Sequence, residues 1–148
     1  MFYGTFFNPK SGKSNMTENI LFVCTENAAR SQMAEAFLKR LAPKNFVAKS
    51  AGTKPSSQIN PVAVKVMKEI GIDMSQNHPK PLLPHMIRDS VKTINMGCMD
   101  KESCPSLNAL DWQIKDPKGK PIEDVRKIRD EIEFKVKKLV IQLENEIS

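Results

Sequence analysis

Long hydrophobic runs are missing from this 148-residue sequence. No apolar stretch approaches the roughly 20 residues that a membrane-spanning helix needs. The first 15 residues, MFYGTFFNPKSGKSN, contain aromatic side chains but no continuous apolar segment of the signal-peptide type. We therefore expect a cytoplasmic protein that has no membrane partner.

Basic runs and the aromatic motifs of nucleic-acid-binding domains are missing as well. The chain has 23 lysines and arginines against 17 acidic residues, a formal net charge of +6. The basic residues are spread along the chain and are mixed with acids near its end, which is typical of a solvated surface. We predict no nucleic-acid partner, and the positive balance is compatible with a small anionic substrate.

The sequence contains only three cysteines, Cys24, Cys98 and Cys104. An odd count disfavours a framework of structural disulfides and, in a reducing compartment, favours reactive thiols. A zinc site built from Cys98, Cys104, His78 and His85 is conceivable, but the spacing matches no standard pattern. We predict no metal site and no cofactor.

The pattern of apolar residues predicts strands that alternate with helices. Residues 1–17 show no clear periodicity and are interpreted as a flexible extension, followed by one domain at 18–148. The predicted strands cover residues 20–23, 46–52, 90–96 and 111–114, and the predicted helices cover 30–41, 60–71 and 121–146, with a short helix from residue 84. This alternation is typical of an α/β domain with a parallel sheet.

The segment ILFVCTENAARSQMAEAFL (20–38) places Cys24 at the end of an apolar strand and Arg30 at the start of an amphipathic helix. Ligands of parallel sheets bind beyond the carboxyl ends of the strands. The loop amides and the helix N-terminus suit a tetrahedral oxyanion, and Arg30 can bind it with a bidentate guanidinium. The same positive surroundings favour the thiolate form of Cys24, which becomes a nucleophile.

We predict that the oxyanion is bound by the loop residues Thr25, Glu26, Asn27, Ala28, Ala29, Arg30 and Ser31. Ser31 can donate a hydrogen bond to the Cys24 thiolate, and Asn27 can hold the loop backbone in place. The alternative is a buried structural cysteine near an unrelated arginine. C-x5-R alone is a weak signal, but its position between a strand and a helix, with Ser31 next, strengthens it.

Asp116 follows the fourth predicted strand and should reach the same sheet edge as Cys24. A carboxyl group there can give a proton to a leaving oxygen or take one from a thiol. The alternative role for Asp116-Pro117 is that of an ordinary turn initiator.

The stretch VCTENAARSQMAEAF resembles the phosphate-binding loop of the low-molecular-weight tyrosine phosphatase superfamily, with its C-x5-R-S pattern. The resemblance implies a four-stranded parallel sheet flanked by helices on both faces.

Cys98 and Cys104 follow the third strand in MGCMDKESCPS and suggest thiol chemistry. If the first and third strands are neighbours, Cys98 lies at the same sheet edge as Cys24. Cys98 can then attack a Cys24 adduct to form a disulfide, and Cys104 can attack Cys98 to move that disulfide outward, where an external dithiol reduces it. A phosphatase would need only the first thiol.

Residues 19–146 also resemble thioredoxin-coupled arsenate reductases. The matching pieces are the first loop, KSAG, NPVAVKVMKEIGIDMS, the cysteine pair followed by proline, W-x3-DP-x-GK and RKIRDEIE. The resemblance implies arsenate as substrate, thioredoxin or a thioredoxin-like protein as reductant, and a monomer. It assigns the three thiol roles to Cys24, Cys98 and Cys104 and gives catalytic roles to Arg30 and Asp116.

Two other functions stay open at this point. One is a low-molecular-weight protein tyrosine phosphatase with Cys24 as nucleophile and Asp116 as general acid. Against it, DPKGKP lacks the aromatic residues that such phosphatases often place after the DP motif. The other is a non-enzymatic thiol redox sensor or anion-binding module, which the combination of Cys24, Arg30 and Asp116 disfavours.

Overall fold

The computed structural model describes residues 17–97 and 109–147. Its four strands form one parallel sheet in the order β2-β1-β3-β4. The predicted architecture is thereby confirmed, including the pairing of the first and third strands. The elements are β1 Glu18–Cys24, α1 Arg30–Leu41, β2 Phe46–Gly52, α2 Pro61–Lys68, α3 Pro84–Arg88, β3 Ser90–Asn95, β4 Ala109–Asp111 and α4 Ile122–Ile147.

Three of the sequence predictions fall on undescribed parts of the chain. Residues 1–16 of the expected extension, together with Cys98 and Cys104, lie outside the described residues. The division of the chain at residue 17 therefore stays a prediction.

Strand β1 is apolar and buried from Ile20 to Cys24 because both faces of the sheet are covered there. Ile20, Phe22 and Cys24 pack into the main core with α1, α2 and α4, whereas Leu21 and Val23 contact a smaller cluster on the α3 side. None of the helices in the described ranges combines the length and apolar character needed to span a bilayer. The inward face predicted for α4 is buried at every position: Val125, Ile128, Ile132, Val136, Leu139, Val140 and Leu143.

Helix α2 begins where its capping residues indicate. The Asn60 side chain accepts a hydrogen bond from the Val62 N–H at 2.8 Å, and Pro61 is the first helical residue. The α-helix ends at Lys68, three residues before the predicted stop. Gly71 then closes the helix with φ +84° and an N–H that donates to the Lys68 carbonyl at 3.0 Å.

The fourth strand is shorter and earlier than predicted, because it covers Ala109–Asp111 rather than 111–114. Its pairing with β3 stops at Asn95–Asp111, and one further bond joins the Trp112 N–H to the Asn95 carbonyl at 2.8 Å. Strand β3 itself ends at Asn95, and Gly97 has φ +102°. The predicted fourth strand is therefore present, but its predicted bounds were wrong.

An ion-pair cluster joins the end of α2 to α4. The Glu69 carboxylate binds Arg126 at 2.7 Å and Arg129 at 2.9 Å. The hydrogen bond from Arg126, helped by Arg129, lowers the pKa of Glu69 from 4.5 to about 2 and outweighs the opposing effect of burial.

This cluster predicts how stability depends on pH. Because the pKa of Glu69 is lower in the folded state, its ionised form stabilises the fold above about pH 4.5, and this contribution is lost as the pH falls towards 2. We expect Glu69→Gln to lower the free energy of unfolding at neutral pH, with the difference from wild type vanishing near pH 2. Urea unfolding across this range measures it. A difference that is independent of pH would contradict the assignment.

Candidate active site

Cys24 is the last residue of the central strand β1, and its side chain is almost completely buried. Its Sγ lies 2.9 Å from the Ser31 Oγ and 3.2 Å from the backbone nitrogen of Asn27. Helix α1 begins at Arg30, so its N-terminus also lies next to the sulfur. N–H groups and a helix N-terminus stabilise negative charge, so the surroundings of the sulfur suit a bound anion.

The loop at residues 24–29 is held from behind by the segment at residues 53–60. Four loop carbonyls accept backbone hydrogen bonds from this segment: Thr53 to Cys24 at 3.1 Å, Lys54 to Thr25 at 2.7 Å, Ser56 to Glu26 at 3.1 Å and Asn60 to Ala28 at 2.9 Å. In a trans peptide the next N–H points opposite to the carbonyl. The N–H groups of residues 25, 26, 27 and 29 therefore point away from the segment, and that of Asn27 reaches the sulfur.

Asn27, which has φ +53°, connects the loop to α1 and to Lys80 through its side chain. Its Oδ1 accepts hydrogen bonds from the Lys80 backbone N–H at 2.8 Å and from Gln32 Nε2 at 2.9 Å. Two donors on one atom fix the orientation of the amide, so Nδ2 is the atom that donates to the Ser31 Oγ at 2.7 Å. Since the Ser31 oxygen accepts there, its own proton is available to a thiolate at Cys24.

Arg30 is buried, and its guanidinium contacts the segment after β4 and the glycine after β3. Its Nη1 donates to the Ile114 carbonyl at 3.1 Å, and its Nη2 lies 3.9 Å from the Asp116 Oδ2. The guanidinium also lies against Gly97, where an added Cβ would be 2.0 Å from Nη1. Thr25 reaches the same glycine, because its hydroxyl donates to the Gly97 carbonyl at 3.0 Å.

Asp116 has an exposed side chain at the mouth of the site. Its Oδ1 accepts a hydrogen bond from the Lys118 N–H at 3.0 Å. The Lys118 ammonium pairs with the Glu26 Oε2 at 3.0 Å, which joins this turn to the loop. The hydrogen bond and charge of Glu26 raise the pKa of Lys118 above its usual value.

These parts surround an open cavity of about 400 Å³. Its walls are residues 24, 26 and 28–30 of the loop, residues 56–61, and residues 116, 118 and 119 of the turn. No aromatic side chain is among these described lining residues. Polar and apolar groups both line the cavity, and the Arg30 guanidinium among them can bind an oxyanion.

The structure brings Asp116, which is distant in the sequence, to the same cavity as Cys24 and Arg30. Of the predicted oxyanion-binding residues, Glu26, Ala28, Ala29 and Arg30 line this cavity, Asn27 and Ser31 contact the sulfur, and Thr25 instead binds the Gly97 carbonyl. The predicted partners Cys98 and Cys104 are not described. In the part of the chain that is described, no three His, Cys, Asp or Glu side chains are grouped to hold a metal ion.

Sequence reasoning missed the residues behind the loop. Gln32, Lys80 and the segment at 53–60 hold it through main-chain atoms or distant side chains. The sequence contained no usable signal for them, because the burial of Glu35 one helical turn after Ser31 is visible only in the structure.

Comparisons with known proteins agree with this geometry. The model of the low molecular weight phosphotyrosine protein phosphatase family matches residues 19–148. The chain is 36% identical over 124 residues to an arsenate reductase of Staphylococcus aureus, covering 80% of this chain and 93% of that protein.

Solved structures show the same relationship. A thioredoxin-dependent arsenate reductase of Corynebacterium glutamicum superposes with a TM-score of 0.76 at 33% identity, covering 92% of this chain and 67% of that one. An arginine phosphatase of Geobacillus stearothermophilus superposes with a TM-score of 0.75 at 29% identity, covering 87% and 94%. The chain thus belongs to the low molecular weight phosphotyrosine protein phosphatase family, in which it groups with the arsenate reductases.

Proposed function

We propose that this protein reduces arsenate to arsenite with electrons from its own cysteine thiols. The observation that carries the proposal is the buried Cys24 sulfur, held between Ser31 and the Asn27 N–H in a cavity that Arg30 also lines. Arsenate is a tetrahedral oxyanion whose negative charge Arg30 and the loop N–H groups can bind. The relatives named arsenate reductases support the same substrate.

The first step is attack of the Cys24 thiolate on arsenic. An As–S bond forms, and one arsenate oxygen leaves as water after accepting protons. Asp116 is the candidate proton donor, because its exposed carboxyl lies at the cavity mouth beside Arg30. Arg30 and the loop N–H groups balance the negative charge of the oxyanion.

The second step is a two-electron transfer. The Cys98 thiolate attacks the Cys24 sulfur, the As–S bond breaks, and its electron pair leaves with arsenic as arsenite. One S–S bond forms, so two thiols are oxidised while As(V) becomes As(III). Cys104 then attacks Cys98, releases Cys24 as a thiolate, and leaves a Cys98–Cys104 disulfide.

An external dithiol must reduce this disulfide, and we assign that role to thioredoxin or a thioredoxin-like protein. The solved Corynebacterium relative, named thioredoxin-dependent, supports this choice. A chain that depends on three reduced thiols requires a reducing compartment, so we place it in the cytoplasm. We further propose that it acts as a monomer without nucleic acid.

The decisive experiment follows NADPH oxidation with thioredoxin and thioredoxin reductase after arsenate is added. Wild-type protein should turn over many times, and Cys98→Ser should show no arsenate-dependent oxidation. Cys104→Ser should reduce about one arsenate per chain and accumulate a Cys24–Cys98 disulfide, detected by mass spectrometry of peptides. Normal cycling of Cys104→Ser would contradict the three-thiol sequence.

Hydrolysis of p-nitrophenyl phosphate is the matched assay for the alternative, a phosphatase with Cys24 as nucleophile and Asp116 as acid. The arginine phosphatase among the solved relatives shows that the fold also supports phosphate chemistry. Rapid hydrolysis together with no arsenate-dependent NADPH oxidation would establish the phosphatase and overturn the reductase.

A further inference from the structure

A buried carboxylate that takes no part in the proposed reaction lies behind the anion-binding loop. Glu35 is 8% exposed and follows Ser31 by four residues on α1, about 6 Å along the helix axis. The Ser50 hydroxyl, itself completely buried on β2, donates to Glu35 Oε1. Two lysines pair with the carboxylate, Lys39 with Oε2 at 3.0 Å and Lys80 with Oε1 at 3.5 Å.

The negative charge of such a carboxylate disfavours anion binding by the loop. The site must hold a thiolate and an oxyanion, and an uncompensated negative charge at this depth would repel both. Glu35 is only 8% exposed, so water screens its charge less than that of a surface carboxylate. A nearby cation is therefore needed if the loop is to remain electropositive.

Lys80 is the cation that is joined to the loop. Its Nζ donates to the Ser50 Oγ at 3.3 Å while pairing with Glu35. Its backbone N–H donates to the Asn27 Oδ1 at 2.8 Å, which is the bond that orients the amide towards Ser31. Lys39 pairs with the same carboxylate but has a more exposed side chain, and no described hydrogen bond joins it to the loop.

We propose that Lys80 is a positioning residue. Its ammonium neutralises Glu35 and keeps the Lys80 backbone in the place from which its N–H orients Asn27. The loop can then stabilise an anion at Cys24. The proposal deepens the proposed function, on which it rests for the role of Cys24 as the reactive thiol. Lys80 acts through Asn27 and Ser31, so the proposal requires no contact between Lys80 and the substrate.

The test measures anion affinity and thiol reactivity separately from arsenate turnover. Phosphate binding is measured by calorimetry, and Cys24 alkylation by iodoacetamide is timed in a Cys98→Ser/Cys104→Ser background, where Cys24 is the only thiol. We expect Lys80→Met to weaken phosphate binding and to slow alkylation, each by about tenfold. Lys80→Arg, which keeps the charge, should recover most of both.

Two further variants separate this role from general support of the fold. Lys39→Met is the matched control, because it removes the other lysine from the same carboxylate, and it should change both values by less than about twofold. Glu35→Gln/Lys80→Met should restore phosphate binding, since without the carboxylate no cation is needed. If Lys80→Met does not fold, Lys80→Gln takes its place.

Unchanged phosphate binding and alkylation in Lys80→Met would overturn the proposal, as would equal losses in Lys39→Met or no recovery in the double variant. None of these readouts requires arsenate reduction. If wild-type protein fails to oxidise NADPH with arsenate while Lys80→Met still binds phosphate more weakly, the proposed function falls and the role of Lys80 stands.

Discussion

Replacement of Cys24 by serine is expected to abolish arsenate reduction, with a loss of at least about 10³-fold. A serine hydroxyl is a much weaker nucleophile than a cysteine thiol at neutral pH, so attack on arsenic slows severely. Oxygen also cannot form the disulfide that supplies the two electrons for As(V). The loss should therefore be complete for the redox reaction, as measured by NADPH oxidation with the thioredoxin system.

Phosphate binding is the control for this variant. The loop is held by residues 53–60 and by Asn27, which the substitution does not touch, so Cys24→Ser should still bind phosphate in calorimetry. Binding without turnover assigns the loss to chemistry. Arsenate-dependent NADPH oxidation in Cys24→Ser would contradict the role of this sulfur.

Gly97→Ala is expected to lower kcat/KM for arsenate by about 10²-fold or more, although residue 97 carries no functional group. A Cβ at this position would lie 2.0 Å from the Arg30 Nη1 and 3.1 Å from its Cζ. The guanidinium is the end of a flexible side chain, so it can move away and the chain can still fold. In moving, it loses its bond to the Ile114 carbonyl and its place in the cavity.

Gly71→Ala provides the matched control, because both glycines have positive φ, +84° at Gly71 and +102° at Gly97. A Cβ at Gly71 meets only the Arg40 Nη2, at 3.3 Å, and this position is far from the cavity along the chain. Both variants should lose about 1 kcal/mol of stability from backbone strain, measured by urea unfolding. Only Gly97→Ala should lose activity, and wild-type kcat/KM in that variant would contradict the placement of Arg30.

Strong local signals made most of the fold predictable from sequence. Asn60, Pro61 and Gly71 define α2, and helix α1 covers the predicted residues because its apolar stripe has the helical period. The fourth strand was misplaced for a non-local reason. Trp112 and Ile114 alternate as strand residues do, but a strand also needs a partner, and β3 ends at Asn95.

The candidate site was predictable in part: the residues that meet at the cavity could be predicted, and those that support the loop could not. Cys24, Arg30 and Asp116 could be placed together because the ends of parallel strands meet at one edge of the sheet. The supports behind the loop could not be, since Lys80 acts through its backbone N–H and residues 53–60 through theirs. Almost any residue type can form main-chain hydrogen bonds, so the sequence does not show where they are. The ion pair between Glu26 and Lys118 spans 92 positions and is equally invisible to local patterns.

The central place of β1 in the sheet has a consequence for local unfolding. Its residues Ile20–Val23 are completely buried and are paired on both sides, so their amides should exchange with solvent only when the whole domain opens. The turn at residues 116–119, which is largely exposed, can open at little free-energy cost. The proposed nucleophile is thus attached to a strand whose amides should exchange slowly, whereas the proposed proton donor lies in an exposed turn. Changes in this outer turn should therefore leave the sulfur in its position.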